Sequence, residues 1–109
     1  MNREFVETPI FTKKWQKMGL NDNDLWELQK SLLANPKLGD VIPGVEGIRK
    51  LRIALGVHGK RGGARVIYVD IEVRHVIYLL NVYAKKDQAD LTEEEKQILS
   101  KYVRLLKEE

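Results

Sequence analysis

Two apolar, β-branched runs, Ala64–Ile71 and His75–Tyr83, are separated only by Glu72-Val73-Arg74. So tight a connection joins neighbouring strands as an antiparallel hairpin, because a parallel pair needs a crossover of about a dozen residues or more. The second run is apolar almost throughout, which places it inside a sheet with both faces covered.

Other segments add to this hairpin. From Ile48 to Leu55 the residues alternate: Leu51, Ile53 and Leu55 point to one face, Lys50 and Arg52 to the other, with Ile48 on the charged face against the pattern. Arg3–Glu7 predicts a short first strand, and Thr8-Pro9 supplies a cap and a first-turn proline for a helix whose core stripe is Phe11, Trp15 and Met18. Gly19 ends it. Asn21-Asp22-Asn23-Asp24 offers caps for a second helix with Leu25, Leu28 and Leu32 on one face, flanked by Trp26 and Leu33, and Asn35-Pro36 stops it. Residues 36–47 are expected as a connecting loop. Near the C-terminus Thr92-Glu93-Glu94-Glu95 is a capping box opening a helix with an expected stripe of Ile98, Leu99, Tyr102, Val103 and Leu106. The order predicts an α+β fold in which an N-terminal helical hairpin packs on an antiparallel-rich sheet with a C-terminal helix, residues 1–109 forming one domain.

The 109 residues include no cysteine, which removes disulfides, thiolate metal sites and cysteine nucleophiles. No segment approaches the roughly 18 apolar residues of a membrane span, and acidic residues occupy the place where a signal peptide would need an apolar run. A cytoplasmic protein without membrane association is expected. Its net charge is only +3, but residues 47–86 hold nine lysines and arginines against Asp70 and Glu72. Segregation of that kind is the electrostatic footprint of a surface for nucleic acid or another acidic partner. Within it Gly59-Lys60-Arg61-Gly62-Gly63-Ala64-Arg65 reads as a glycine-hinged loop able to turn Lys60, Arg61 and Arg65 toward one phosphate-sized target.

Several chemistries are excluded by spacing. The glycines around Lys60 are too close together for a P-loop, and no Ser or Thr follows the lysine. His58 and His75 lack a nearby carboxylate or second histidine at ligand spacing, so neither metal nor cofactor is expected. Ser31 and Ser100 fall in helices without a paired base. What remains is Lys50, Arg52, Lys60, Arg61, Arg65, Tyr68, Tyr83 and Lys85. Cations hold phosphates and a tyrosine face stacks on an unpaired base, a combination suited to RNA. RNA also carries its own nucleophile, the 2′-hydroxyl, so cleavage needs only its activation, stabilisation of the phosphorane and protonation of the leaving 5′-oxygen. Tyr68 and Tyr83 fit a core or rim role equally well, and binding without cleavage fits the same residues.

The ordered set Asn35-Pro36-Lys37-Leu38-Gly39-Asp40-Val41-Ile42-Pro43-Gly44, Ile48-Arg49-Lys50-Leu51-Arg52, Gly59 through Tyr68, and Tyr83-Ala84-Lys85 followed by Asp90-Leu91-Thr92 closely resembles the HigB-type toxins of the RelE superfamily. The resemblance implies a microbial-RNase-like α+β fold and a type II toxin that cleaves translated mRNA in the ribosomal A site. It further implies neutralisation by an antitoxin with a helix-turn-helix domain, operator DNA being reached only through that complex. By the same resemblance Lys50 lies near the 2′-hydroxyl, Arg52 binds phosphate, Arg65 stabilises phosphorane charge, and Lys85 takes the leaving-group position where RelE has arginine. Lys60 and Arg61 match a basic loop suited to ribosomal RNA, and Arg49 joins the RNA-binding set. Leu91 stands where RelE has a base-stacking tyrosine, which leaves stacking to Tyr83. A translation inhibitor acting by occupancy, or a co-regulator acting with its antitoxin, are the alternatives.

Overall fold

The computed structural model describes residues 2–55 and 60–108, the side chains of Leu55 and of residues 60–62 excepted. Its elements are β1 (Glu4–Glu7), α1 (Pro9–Lys17), α2 (Asp22–Ala34), β2 (Asp40–Val41), β3 (Arg49–Leu55), β4 (Lys60–Ile71), a 3-10 turn (Glu72–Arg74), β5 (Val76–Ala84) and α3 (Glu93–Glu108). The strands form one sheet in the order β1-β5-β4-β3-β2, antiparallel except for the parallel pair β1 and β5.

Local chemistry sets the helix starts. The Thr8 hydroxyl accepts from the Phe11 N–H and donates to the Leu80 carbonyl, so one side chain caps α1 and ties it to β5. Asn21 and Asp24 form a reciprocal capping box at α2, and Thr92 and Glu95 form another at α3. The hairpin β4-β5 is joined as expected, with His75 taking the left-handed conformation (φ 58°) that ends the 3-10 turn.

Each face of the sheet carries its own core. On one, α1 and α2 bury Phe11, Trp15, Leu28 and Leu32 against Ala64, Val66, Tyr68, Ile77, Leu79 and Val82, with Leu51 and Ile53 partly buried beside them. On the other, Val103 of α3, Leu91, Ile42 and Val45 pack against Ile48, Ile67, Val69, Ile71, Leu80 and Tyr83. The position of Ile48 is thereby explained. The face of Lys50 and Arg52 is not bare; at its other end it is a second core in which Ile48 is fully buried.

Three expectations change. The 36–47 segment contains β2, whose Asp40 and Val41 pair with Lys50 and Arg49. The loop ahead of Arg65 is shorter than expected, because β4 starts at Lys60, already paired with Leu55. On α3 the inward residues are Ser100, Val103 and Leu106 with Leu99 partly buried, whereas Ile98 and Tyr102 are exposed. The helix lies rotated by about one position relative to the stripe expected from apolarity alone.

Candidate functional site

The β4-β5 register slips between Ile67 and Tyr68: Tyr68 pairs with Leu79 and Ile67 with Asn81, which leaves Leu80 as the extra residue of a β-bulge. Thr8 takes up the Leu80 carbonyl, and the buried Asn81 accepts from the Val82 N–H at 2.8 Å. The bulge reverses the facing of every later residue in β5. Ile77 and Leu79 face the helical hairpin, but after the bulge Val82 does so and Tyr83 joins the opposite face. That shift completes a row. Arg52 on β3 stands directly opposite Arg65 on β4, which stands directly opposite Tyr83 on β5.

Lys50 lies one pleat along β3 from Arg52 on the same face. Its ammonium meets the Asp90 carboxylate at 3.3 Å in an exposed ion pair. Lys85 follows β5 directly; its backbone N–H donates to the Gly63 carbonyl at 3.1 Å, which ties the start of the leaving segment to β4, and its side chain is exposed. Gly63 has φ 53°, and a Cβ there would run into the Ile53 carbonyl, so only glycine fits two residues ahead of Arg65. Among the described residues neither Arg52 nor Arg65 has an ion-pair partner. Opposed like charges are destabilising unless an anion joins them. This half of the face is therefore a pair of uncompensated guanidiniums flanked by two lysines.

Other candidates have structural roles. The Tyr68 hydroxyl, fully buried, accepts from the Gly39 N–H at 2.8 Å and donates to the Pro36 carbonyl at 2.9 Å. Burial, opposed by the Gly39 bond and the nearby Arg49, raises the pKa of this phenol. Arg49 points to the face opposite Lys50, where its guanidinium donates to the carbonyls of Lys37 and Gly39, so it serves the loop and not the basic face. Tyr83 is a correction too: it is 4% exposed with its ring in the second core, and no base can stack on it in this arrangement. Burial, then the fields of Asp90 and Glu95 against that of Arg65, raise its pKa. Leu91 is buried in the same core. The side chains of Lys60 and Arg61, and all of His58, lie outside the described residues.

In the sequence Asp90 stands only as part of a motif, and Asn81 carries no expected role. The signal for Asn81 was present, a lone amide inside the apolar run Ile77–Tyr83. For Asp90 there was none, since its link to Lys50 spans 40 residues.

Among the described residues no helix is long and apolar enough to cross a membrane. In fold the protein is similar to three structures of E. coli RelE. A double mutant of the toxin in the free state superposes with a TM-score of 0.58 at 18% identity, covering 82% of this chain and 90% of that one. The isolated toxin gives 0.56 at 17% identity, covering 92% and 98%. The intact E. coli RelBE toxin-antitoxin complex gives 0.55 at 18% identity, covering 75% and 95%. The family described as the RelE toxin of the RelE / RelB toxin-antitoxin system matches residues 5–108, and the chain with its two-sided sheet and basic row belongs to the RelE toxin family.

Proposed function

We propose that this protein is the toxin of a toxin–antitoxin pair, of the HigB-type branch, and an endoribonuclease that cleaves translated mRNA in the ribosomal A site. The observation that carries the reading is the row Arg52–Arg65, two opposed guanidiniums without carboxylate partners among the described residues, with Lys50 one pleat along β3 and Lys85 at the end of β5. In this scheme Lys50 takes up the proton of the RNA 2′-hydroxyl as that oxygen attacks the adjacent phosphorus. Arg65 and Arg52 hold the negative charge that builds on the non-bridging oxygens. Lys85 passes a proton to the 5′-oxygen as its bond to phosphorus breaks, leaving a 2′,3′-cyclic phosphate and a free 5′-hydroxyl. Lys60 and Arg61 act as docking cations for ribosomal RNA.

The proposed partner is a cognate antitoxin with a helix-turn-helix domain. The family description, which pairs the RelE toxin with RelB, supports an antitoxin as partner. Ends of mRNA mapped in a translating extract test the activity. The parent should generate new ends within codons, and Arg65→Ala and Lys85→Ala should each lower the cleavage rate by about 100-fold, the scale of losing one transition-state donor. Intact transcripts with stalled ribosomes would mean inhibition by occupancy. Full activity in both folded variants would remove those residues from the chemistry.

A further inference from the structure

Two buried side-chain polar atoms have no hydrogen-bond partner among the described residues: Arg65 Nη1 and the Tyr83 hydroxyl. They belong to one cross-strand pair, directly opposite each other on β4 and β5. Buried donors are almost always satisfied, so two orphans at one pair mark a place whose acceptor the described residues do not supply. Both orphans can donate, and the acceptor that suits a guanidinium and a phenol together is a tetrahedral oxyanion. Tyr83 has its ring in the second core, and its hydroxyl is the polar group that this burial leaves without a partner among the described residues. Burial and the carboxylates of Asp90 and Glu95 outweigh the field of Arg65 and keep that oxygen protonated, hence a donor.

We infer that Tyr83 is a phosphate-contact residue, its hydroxyl donating to a non-bridging oxygen of the same phosphate that Arg65 holds. This rests on the RNA-cleaving reading of the face and assigns Tyr83 a hydrogen bond where base stacking had been expected. The hydroxyl is covered in this arrangement, and of the charged groups acting on it Asp90 has the largest effect. The Lys50–Asp90 pair, 35% and 61% exposed at 3.3 Å, is of the weak surface kind and opens when an RNA phosphate takes Lys50.

The test uses inorganic phosphate on the isolated protein, with the Tyr83 Cζ and Arg65 Nε labelled for NMR, alongside Tyr83→Phe. In the parent, phosphate should move both resonances with one affinity. Tyr83→Phe should bind phosphate about tenfold more weakly, as expected for losing a hydrogen bond to a charged group, while its melting temperature holds or rises because an orphaned hydroxyl has gone. Movement of Arg65 without Tyr83 overturns the inference whether or not the variant folds. Equal phosphate affinity in parent and variant overturns it as well, and so does a clear drop in melting temperature. If phosphate behaves as expected and the parent leaves mRNA whole in translating extracts, the phosphate site stands and the RNA-cleaving reading falls.

Discussion

Replacing Tyr68 by phenylalanine removes one oxygen, yet that oxygen holds the 36–41 segment onto the sheet. It accepts from the Gly39 N–H at 2.8 Å and donates to the Pro36 carbonyl at 2.9 Å, both in a fully buried setting. Phenylalanine keeps the ring in place and orphans both backbone groups. Each buried unsatisfied group costs about 1–3 kcal/mol; because the segment ends in an edge strand and can partly relax, the sum should be about 2–4 kcal/mol. For a chain of this size about 1 kcal/mol corresponds to roughly 4 °C or somewhat more, so the melting temperature should fall by about 8–16 °C. The effect should be local as well as global. Asp40 pairs with Lys50 and Arg49 donates to Gly39, so hydrogen exchange at the Gly39 amide should accelerate while the β4-β5 amides keep their order of protection. Equilibrium urea unfolding with native-state exchange measures both. A loss below about 0.5 kcal/mol, or unchanged protection at Gly39, would refute the view that this hydroxyl is the fastener.

Gly63→Ala should lower stability by about 1–3 kcal/mol, since the residue has φ 53° and its Cβ would strike the Ile53 carbonyl; chemical denaturation reads this, and a neutral result would show that the β3-β4 end can shift freely. Asp70→Asn breaks the two-bond contact with Arg3, whose side chains are 8% and 9% exposed, and leaves a guanidinium uncompensated, so a loss of about 3–5 kcal/mol is expected by the same assay, with Arg3→Met and Asp70→Leu together recovering most of it. Burial acts to raise the Glu95 pKa, but the Thr92 N–H, Gln88, Lys14 and the Thr92 side chain outweigh it, and the carboxyl sits below the ordinary glutamate range. Its contribution is present above that range and is lost as pH falls toward the folded-state value, so Glu95→Gln should flatten the acid side of the melting temperature against pH. The buried phenols Tyr68 and Tyr83 have raised pKa values, so stability should decline as pH rises above about 10, the unfolded-state value, and Tyr83→Phe should soften that alkaline decline.

What could be read from the sequence was what local chemistry controls. Caps at Thr8, Asn21 and Thr92 act within three residues of themselves, and all three helices begin where those residues predict. The hairpin across Glu72-Val73-Arg74 was equally legible, because so short a connection leaves no other way for two strands to pair. Nine cations crowded into residues 47–86 raised the expectation of an anionic partner, and an ordered motif set pointed to the RelE superfamily, which the match over residues 5–108 bears out.

The composition of the basic face was decided by tertiary structure. Alternation put Lys50 and Arg52 on one side of β3 correctly, but the register with β4 brought Arg65 opposite Arg52. Simple parity along β5 would turn Tyr83 toward the helical hairpin, and the bulge at Leu80, held by Thr8 from 72 residues away, brings it to Arg65. The same non-local reason governs Arg49, which neighbours Lys50 in sequence yet serves loop carbonyls on the opposite face, and Ile48, whose place on the charged face made sense only once α3 was seen to bury it. Residue type and spacing determined that this chain gathers its cations in residues 47–86. Register, which depends on pairings between distant segments, determined which side chains share the site.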